Sequence, residues 1–324
     1  MDPTNSRSKC STQTQTTPKT GSTTVYDLHF EQHVTDHGIF LPSYKYPDDT
    51  KPTKPDNFAD IHRRLRVPRP SLALSRGSLE KEYEEFIELN DNAAREQLVV
   101  KDILPVLEGK RKACFHTDGG HPFNNLAPLT DGTLANAKPD FYHGASPNQL
   151  EPGIWKQLNS QIMPSTQSSR PVAPNFFVEA KGHAGSIPVA KRQACYDGAL
   201  GARAMHALQQ YGHEGSSNYP THYDNNAYTL TSTFHAGTLG LYATHPTRST
   251  NNDNSDRHTD YVMTQVGQWA LHGDPETYQR GLDAYRNAQD LARELRDGFI
   301  GQANERYAAG QDDDSNLTGS EETS

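Results

Sequence analysis

Apolar positions along the chain change period several times, and each change marks an element. From Ser78 onward, Leu79, Tyr83, Phe86, Ala93, Ala94 and Leu98 recur near helical spacing and Pro105 closes the run, which predicts one long or two short helices over 78–107. The stretch TDGGHPFNNLAPLTDGT that follows is expected to be a loop too polar for buried structure. Two short apolar runs, each preceded by proline, then predict strands over 140–143 and 175–181, the second reading NFFVEAK. Between them, 147–174 holds one small amphipathic patch (Ile154, Trp155, Leu158, Ile162) and a Ser/Pro loop.

A helix is predicted over 187–211, burying Ala190, Ala194, Ala199, Met205 and Leu208. Gly198, Gly201 and Ala202 permit close packing there, at a helix cost of ~1 kcal/mol per glycine. AYTLTSTF and TLGLYAT, joined by His235–Ala236–Gly237, read as a β-hairpin. Asp274 is a candidate N-cap with Pro275 at the first helical position. Tyr278, Leu282, Tyr285, Ala292, Leu295, Phe299, Ala303 and Tyr307 step onward from it; a straight helix would run roughly 50 Å at ~1.5 Å per residue, so a break is expected near Gly298–Gly301. The order helix, strand, strand, helix, hairpin, helix describes one mixed α/β domain over 78–308, preceded by an extended arm at 25–77, with no internal repeat.

Composition changes this picture at the ends. Of 324 residues 33% are hydrophobic, and residues 1–24 have no apolar anchor, so they are expected to be a disordered Ser/Thr-rich leader. Residues 309–324 are expected to be an acidic disordered tail; its five acids account for more than half of the net charge of −9. Conversely, Arg63, Arg64, Arg66, Arg69 and Arg76 occur without an acid over 62–77, serving either as a solvated face or as phosphate contacts. No apolar run approaches the ~18 residues of a membrane span, and the N-terminus lacks the apolar core of a secretory signal. Three scattered cysteines form neither a disulfide framework nor a metal motif, so the expected location is intracellular, in cytoplasm or nucleus.

The chemistry concentrates at Pro139–Asp140 and at Glu179–Ala180–Lys181, thirty-nine positions later. Alternate strand residues share a face, so Glu179 and Lys181 project together, and a neighbouring strand brings Asp140 to them. Two convergent carboxylates suit a hard cation such as Mg²⁺, and a lysine beside them can orient or deprotonate a water and stabilise charge on a phosphate oxygen. The same residues also describe an ordinary cross-strand ion pair.

Pro139, Asp140, Glu179, Ala180 and Lys181 resemble the motif of the PD-(D/E)XK nuclease superfamily. The resemblance, over about 78–244, implies a restriction-endonuclease-like core of α-β-β-β-α-β type, a Mg²⁺ or Mn²⁺ requirement and a DNA or RNA substrate. In that case 147–174 is an insertion. It further implies an acid on the preceding helix, for which Glu96 is the candidate with Glu84 and Glu85 as competitors, and an auxiliary glutamine at Gln193, with Tyr196 one residue short of the usual spacing. Asp140, Glu179 and Glu96 would be the metal ligands; Asp140, Glu179, Lys181 and Gln193 the catalytic set. Blocks such as RRLRVPRPSLALSRG, FFVEAKG and RQACYDGALGARAMHALQ also resemble a group of fungal proteins, which implies no activity. The alternative is a non-catalytic protein on this scaffold that binds a protein or nucleic-acid partner.

Other chemistries lack their motifs. There is no G-x-x-x-x-G-K-[ST], H-E-x-x-H or G-x-S-x-G, and no histidine pairs with a cysteine at zinc-finger spacing.

Overall fold

Val172–Lys181 is a strand buried at all ten positions, which requires cover on both faces of its sheet. The computed structural model describes residues 23–72, 75–110, 114–167, 169–213, 222–249 and 259–318. The expected leader thus lies, up to residue 22, outside the described residues.

In chain order the elements are α1 (Phe30–Asp36), β1 (Ile39–Phe40), α2 (Phe58–Leu65), α3 (Arg76–Asn92) and α4 (Glu96–Leu98), which runs through a π turn (Val99–Ile103) into α5 (Leu104–Glu108). There follow β2 (His116–Asp118), β3 (Phe141–Ala145), α6 (Pro152–Gln157), α7 (Asn159–Ile162), β4 (Val172–Lys181) and α8 (Ile187–Gln210). The chain continues with β5 (Thr229–His235), β6 (Thr238–Arg248), β7 (Thr259–Ala270) and α9 (Pro275–Thr318).

All seven strands form one mixed sheet in the order β1-β7-β6-β5-β4-β3-β2. β4 and β5 are parallel across the α8 crossover, β1 and β7 are parallel, and the remaining pairs are antiparallel. Alternation along β4 divides its side chains between two cores. Phe176, Val178 and Ala180 join Tyr278, Leu282 and Tyr285 of α9, with Ile61 and Phe86 of α2 and α3. Phe177 faces Ala199 and Leu200 of α8 on the other side. The result is an α/β domain with helices on both faces of a single sheet, and C-terminal helix α9 spanning one of them.

Several expectations are met in detail. β5 and β6 form the hairpin, with Phe234 opposite Leu239 and a two-residue turn at Ala236–Gly237, both at positive φ, as a type I′ turn requires. Asp274 caps α9 by accepting the Thr277 N–H at 2.7 Å. A Cβ on Gly201 would meet Phe177 and Thr229 at 2.7 Å, so α8 sits against the sheet at glycine distance.

Others are corrected. The arm is not simply extended: it folds α1 and α2, buries Phe30, Val34, Ile61 and Leu65, and contributes β1 to the sheet edge. The polar loop after residue 116 buries Phe123 edge-on against Tyr142. Helix α9 passes through Gly298 and Gly301 without a break, because Phe299, Ile300 and Ala303 are buried among Ile154, Met205 and Leu208 and hold the helix across the weak point. The helical backbone continues to Thr318, within the segment expected to be a disordered tail. Among the described residues no helix is long and apolar enough to cross a membrane.

Candidate active site

The alternation that sends Val178 and Ala180 toward α9 turns Glu179 and Lys181 toward α8. Register places Phe141 opposite Val178, so Asp140, one residue before β3, comes beside Glu179 and Ala180. Its Oδ2 accepts the Ala180 N–H at 2.8 Å, which fixes the carboxylate at the end of the strand pair.

A glycine then brings in the helix side. A Cβ on Gly182 would lie 2.4 Å from the Ala94 carbonyl oxygen and 2.7 Å from Arg95 N, so only glycine lets the turn before α4 press against the end of β4. That turn delivers Glu96. Lys181 Nζ donates to Glu96 Oε2 at 2.7 Å and to the Ala180 carbonyl at 3.0 Å. It also lies 3.7 Å from Asp140 Oδ2 and 3.9 Å from Glu179 Oε2. Asp140, Glu179, Lys181 and Glu96 therefore converge. Glu84 and Glu85 do not: both are exposed on α3, and Glu85 pairs with Lys81 at 3.6 Å.

Helix α8 supplies an acid that the sequence reading missed. Asp197 is 2% exposed and faces Glu179, itself 1% exposed. Neither oxygen of Glu179, nor Oδ2 of Asp197, has a hydrogen-bond donor in the protein. The available signal was an acid on the Ala194–Ala199 stretch of small, buried residues, where an ionised side chain needs a partner.

Electrostatics follow from this crowding. Burial raises the Asp140 carboxyl to about 6 against the pull of Lys181. Burial raises Asp197 to about 7. Glu179 is pushed well up, by burial first and then by Asp197 and Asp140. The Lys181 ammonium is opposed by burial, but Asp140, Glu96 and Glu179 outweigh it and hold its pKa above the usual value. Four acids thus surround one base, and burial, with mutual repulsion added for Glu179, favours the protonated forms of Glu179 and Asp197.

The four acids Glu96, Asp140, Glu179 and Asp197 line a cavity of about 290 Å³ together with Gln193 and Tyr196 of α8 and Lys138. Gln193 Oε1 is buried there with no donor. Thr23–Tyr26 and Phe30 of the arm form another wall. Arg192 does not reach the cavity: it donates to Glu31 at 2.8 Å and to the Val25 carbonyl at 3.1 Å, clamping the arm onto α8.

The arginine run is equally committed elsewhere. Arg64 pairs with Glu294 at 2.5 Å, Arg69 with Asp290 at 2.8 Å, Arg76 with Glu80 at 3.1 Å, and Arg63 with Asp60. Arg66 lies over the Trp269 ring. Arg64 and Arg69 thereby join α2 and the segment after it to α9, and Arg66 reaches β7, whereas Arg63 and Arg76 make exposed pairs within their own helices.

The buried, donor-less oxygens of Glu179 and Asp197, with Asp140 beside them, are a hard-oxygen donor set of the kind Mg²⁺ or Mn²⁺ takes. No family model, curated protein or solved structure matches the chain.

Proposed function

We propose that this protein is a metal-dependent phosphodiesterase that cleaves DNA or RNA at the cleft between β3, β4 and α8, on a restriction-endonuclease-like core. The observation that carries the reading is that Asp140 and Glu179 meet beside Lys181 with Asp197 facing Glu179, and that both Glu179 oxygens and Oδ2 of Asp197 are buried with no hydrogen-bond partner. The topology supports it too: a helical segment, the antiparallel run β2-β3-β4, a crossover helix and a strand parallel to β4 follow in the order the motif resemblance implies.

Asp140, Glu179 and Asp197 would hold Mg²⁺ or Mn²⁺, which when bound supplies Lewis-acid activation of a phosphate oxygen and a more acidic water. Lys181 stays protonated in this setting, so it donates to the attacking water or to a phosphate oxygen rather than removing a proton. Glu96 fixes the ammonium in that position and Gln193 offers a buried polar contact on the cleft wall.

The test is cleavage of single- and double-stranded DNA and RNA oligonucleotides with Mn²⁺, comparing the wild type with Glu179→Gln and Lys181→Met. Metal-dependent cleavage lost in both variants supports the assignment, and wild-type cleavage by both removes it.

One observation favours a second, non-catalytic reading as a partner-binding scaffold: Lys181 is already engaged by Glu96, so the ion network closes without a ligand. Titration calorimetry separates the two, because only the catalytic reading requires Mn²⁺ binding that Asp140→Asn removes.

A further inference from the structure

Helix α1 carries a second constellation outside the cleft. His33 on this helix and His37, which caps its C-terminus, stand one turn apart, so their rings leave the same side, with centroids 4.7 Å apart. Opposite them is Asp131, nearly a hundred residues later in the sequence. One nitrogen of each ring and one Asp131 oxygen all lie within 4.8 Å of one another. Among the described residues, the carboxylate cluster of the cleft forms no group of three that tight.

Each ligand atom is prepared in a different way. His33 Nε2 is buried, has no hydrogen-bond partner, and faces Asp131 Oδ1 at 3.4 Å. His37 Nδ1 lies 2.7 Å from the His33 carbonyl, so Nδ1 carries the proton and Nε2 keeps its lone pair. A backbone contact on one ring nitrogen is how metal-ligating histidines are commonly oriented through the other. The Asp131 carboxylate is held by the Thr133 N–H at 3.0 Å and the Thr133 hydroxyl at 2.7 Å, yet its side chain is half exposed, so an ion can reach it.

We propose that His33, His37 and Asp131 form a binding site for a borderline transition-metal dication of the Zn²⁺ class, separate from the carboxylate cleft, which fastens the N-terminal arm to the loop carrying Asp131. Two imidazole nitrogens and one carboxylate oxygen, completed by water, match the donor preference of Zn²⁺, whereas Mg²⁺ avoids imidazole. The site lies where such a clasp has structural effect. Thr23 N–H donates to the Thr133 carbonyl and Ala135 N–H to the Thr23 carbonyl, both at 2.9 Å, so arm and loop already run side by side. The same two segments wall the cleft through Thr23–Tyr26, Phe30 and Leu134–Lys138. Metal at the histidines therefore holds the cleft wall in place.

The test titrates the chelator-stripped full chain with Zn²⁺ by calorimetry and with Co²⁺ by visible absorption. Wild type, His33→Ala, Asp131→Asn and Asp140→Asn are compared. Asp131→Asn keeps an oxygen for Thr133 and so guards against a folding artefact. The expected result is a Zn²⁺ site whose affinity falls at least about tenfold in His33→Ala and Asp131→Asn, no less than the loss seen for outer-shell partners, and persists in Asp140→Asn, which removes only an ion held at the cleft. A four-coordinate Co²⁺ spectrum follows the same pattern, and Zn²⁺ raises the melting temperature of the wild type but not of His33→Ala. Zn²⁺ affinity and Co²⁺ spectrum unaltered by His33→Ala and Asp131→Asn, or lost only in Asp140→Asn, overturns the proposal.

Discussion

The Glu179 carboxyl on β4 faces the Asp197 carboxyl on α8 inside the protein, with no donor from the chain for either Glu179 oxygen. An arrangement that costs stability is retained at the centre of the cleft. Asp197 has a folded pKa of about 7 against an ordinary 3.8, so the folded state binds the extra proton between those values. Stability from this group is complete below about pH 4 and is lost as pH rises toward 7.

Asp197→Asn removes that loss and offers Glu179 an amide donor. In metal-free protein the variant is expected to melt higher than the wild type near pH 8, by the equivalent of about 1–3 kcal/mol, and equally near pH 4. Thermal denaturation across that range checks it; a constant difference at all pH values would show that the pair carries no titrating strain.

Gly182 tests how Glu96 reaches Lys181. Alanine there would drive its Cβ into the Ala94 carbonyl, 2.4 Å away, and backbone cannot rotate aside as a side chain can. Gly182→Ala is expected to cost about 1–3 kcal/mol in urea unfolding, as overpacking does. Gly77→Ala, with nothing within 4 Å of the added carbon, is its control and should cost little.

The arginines of α2 make a prediction of indifference. Arg64 is spent on Glu294 of α9, so Arg64→Gln should leave the salt dependence of oligonucleotide binding unchanged. A phosphate contact at that position would instead reduce the slope of log affinity against log salt by about 0.9. Fluorescence anisotropy at several salt concentrations distinguishes the outcomes.

Gly298 and Gly301 sit inside an unbroken helix with open space where a Cβ would be. Gly298→Ala and Gly301→Ala are each expected to stabilise the protein by about 0.4–1 kcal/mol in chemical denaturation. A destabilising result would mean that the helix needs a glycine conformation there.

The parts of this structure readable in sequence were those whose burial follows from local period. Phe176, Phe177 and Val178 announce a buried strand, and its face alternation puts Glu179 and Lys181 on one side. Asp197 was not readable, because its meaning depends on which face of α8 meets β4, a tertiary fact. Strand β7 was missed for a related reason: Gln265, Gly267 and Gln268 interrupt its apolar pattern, and its pairing with β6 along the whole strand overrides that weak local signal. The broken helix expected at Gly298 and Gly301 failed because anchorage by Phe299 and Ile300 outweighs a propensity penalty of ~1 kcal/mol per glycine.

The pairing of Ile39 with Tyr261 and Phe40 with Val262 joins parts of the chain more than two hundred residues apart. The arm is synthesised well before β7, but β1 cannot dock at the sheet edge until β7 has been made and paired. Chain order therefore makes the seating of β1 a late event, and one short parallel pair at the sheet edge waits on a strand made more than two hundred residues later.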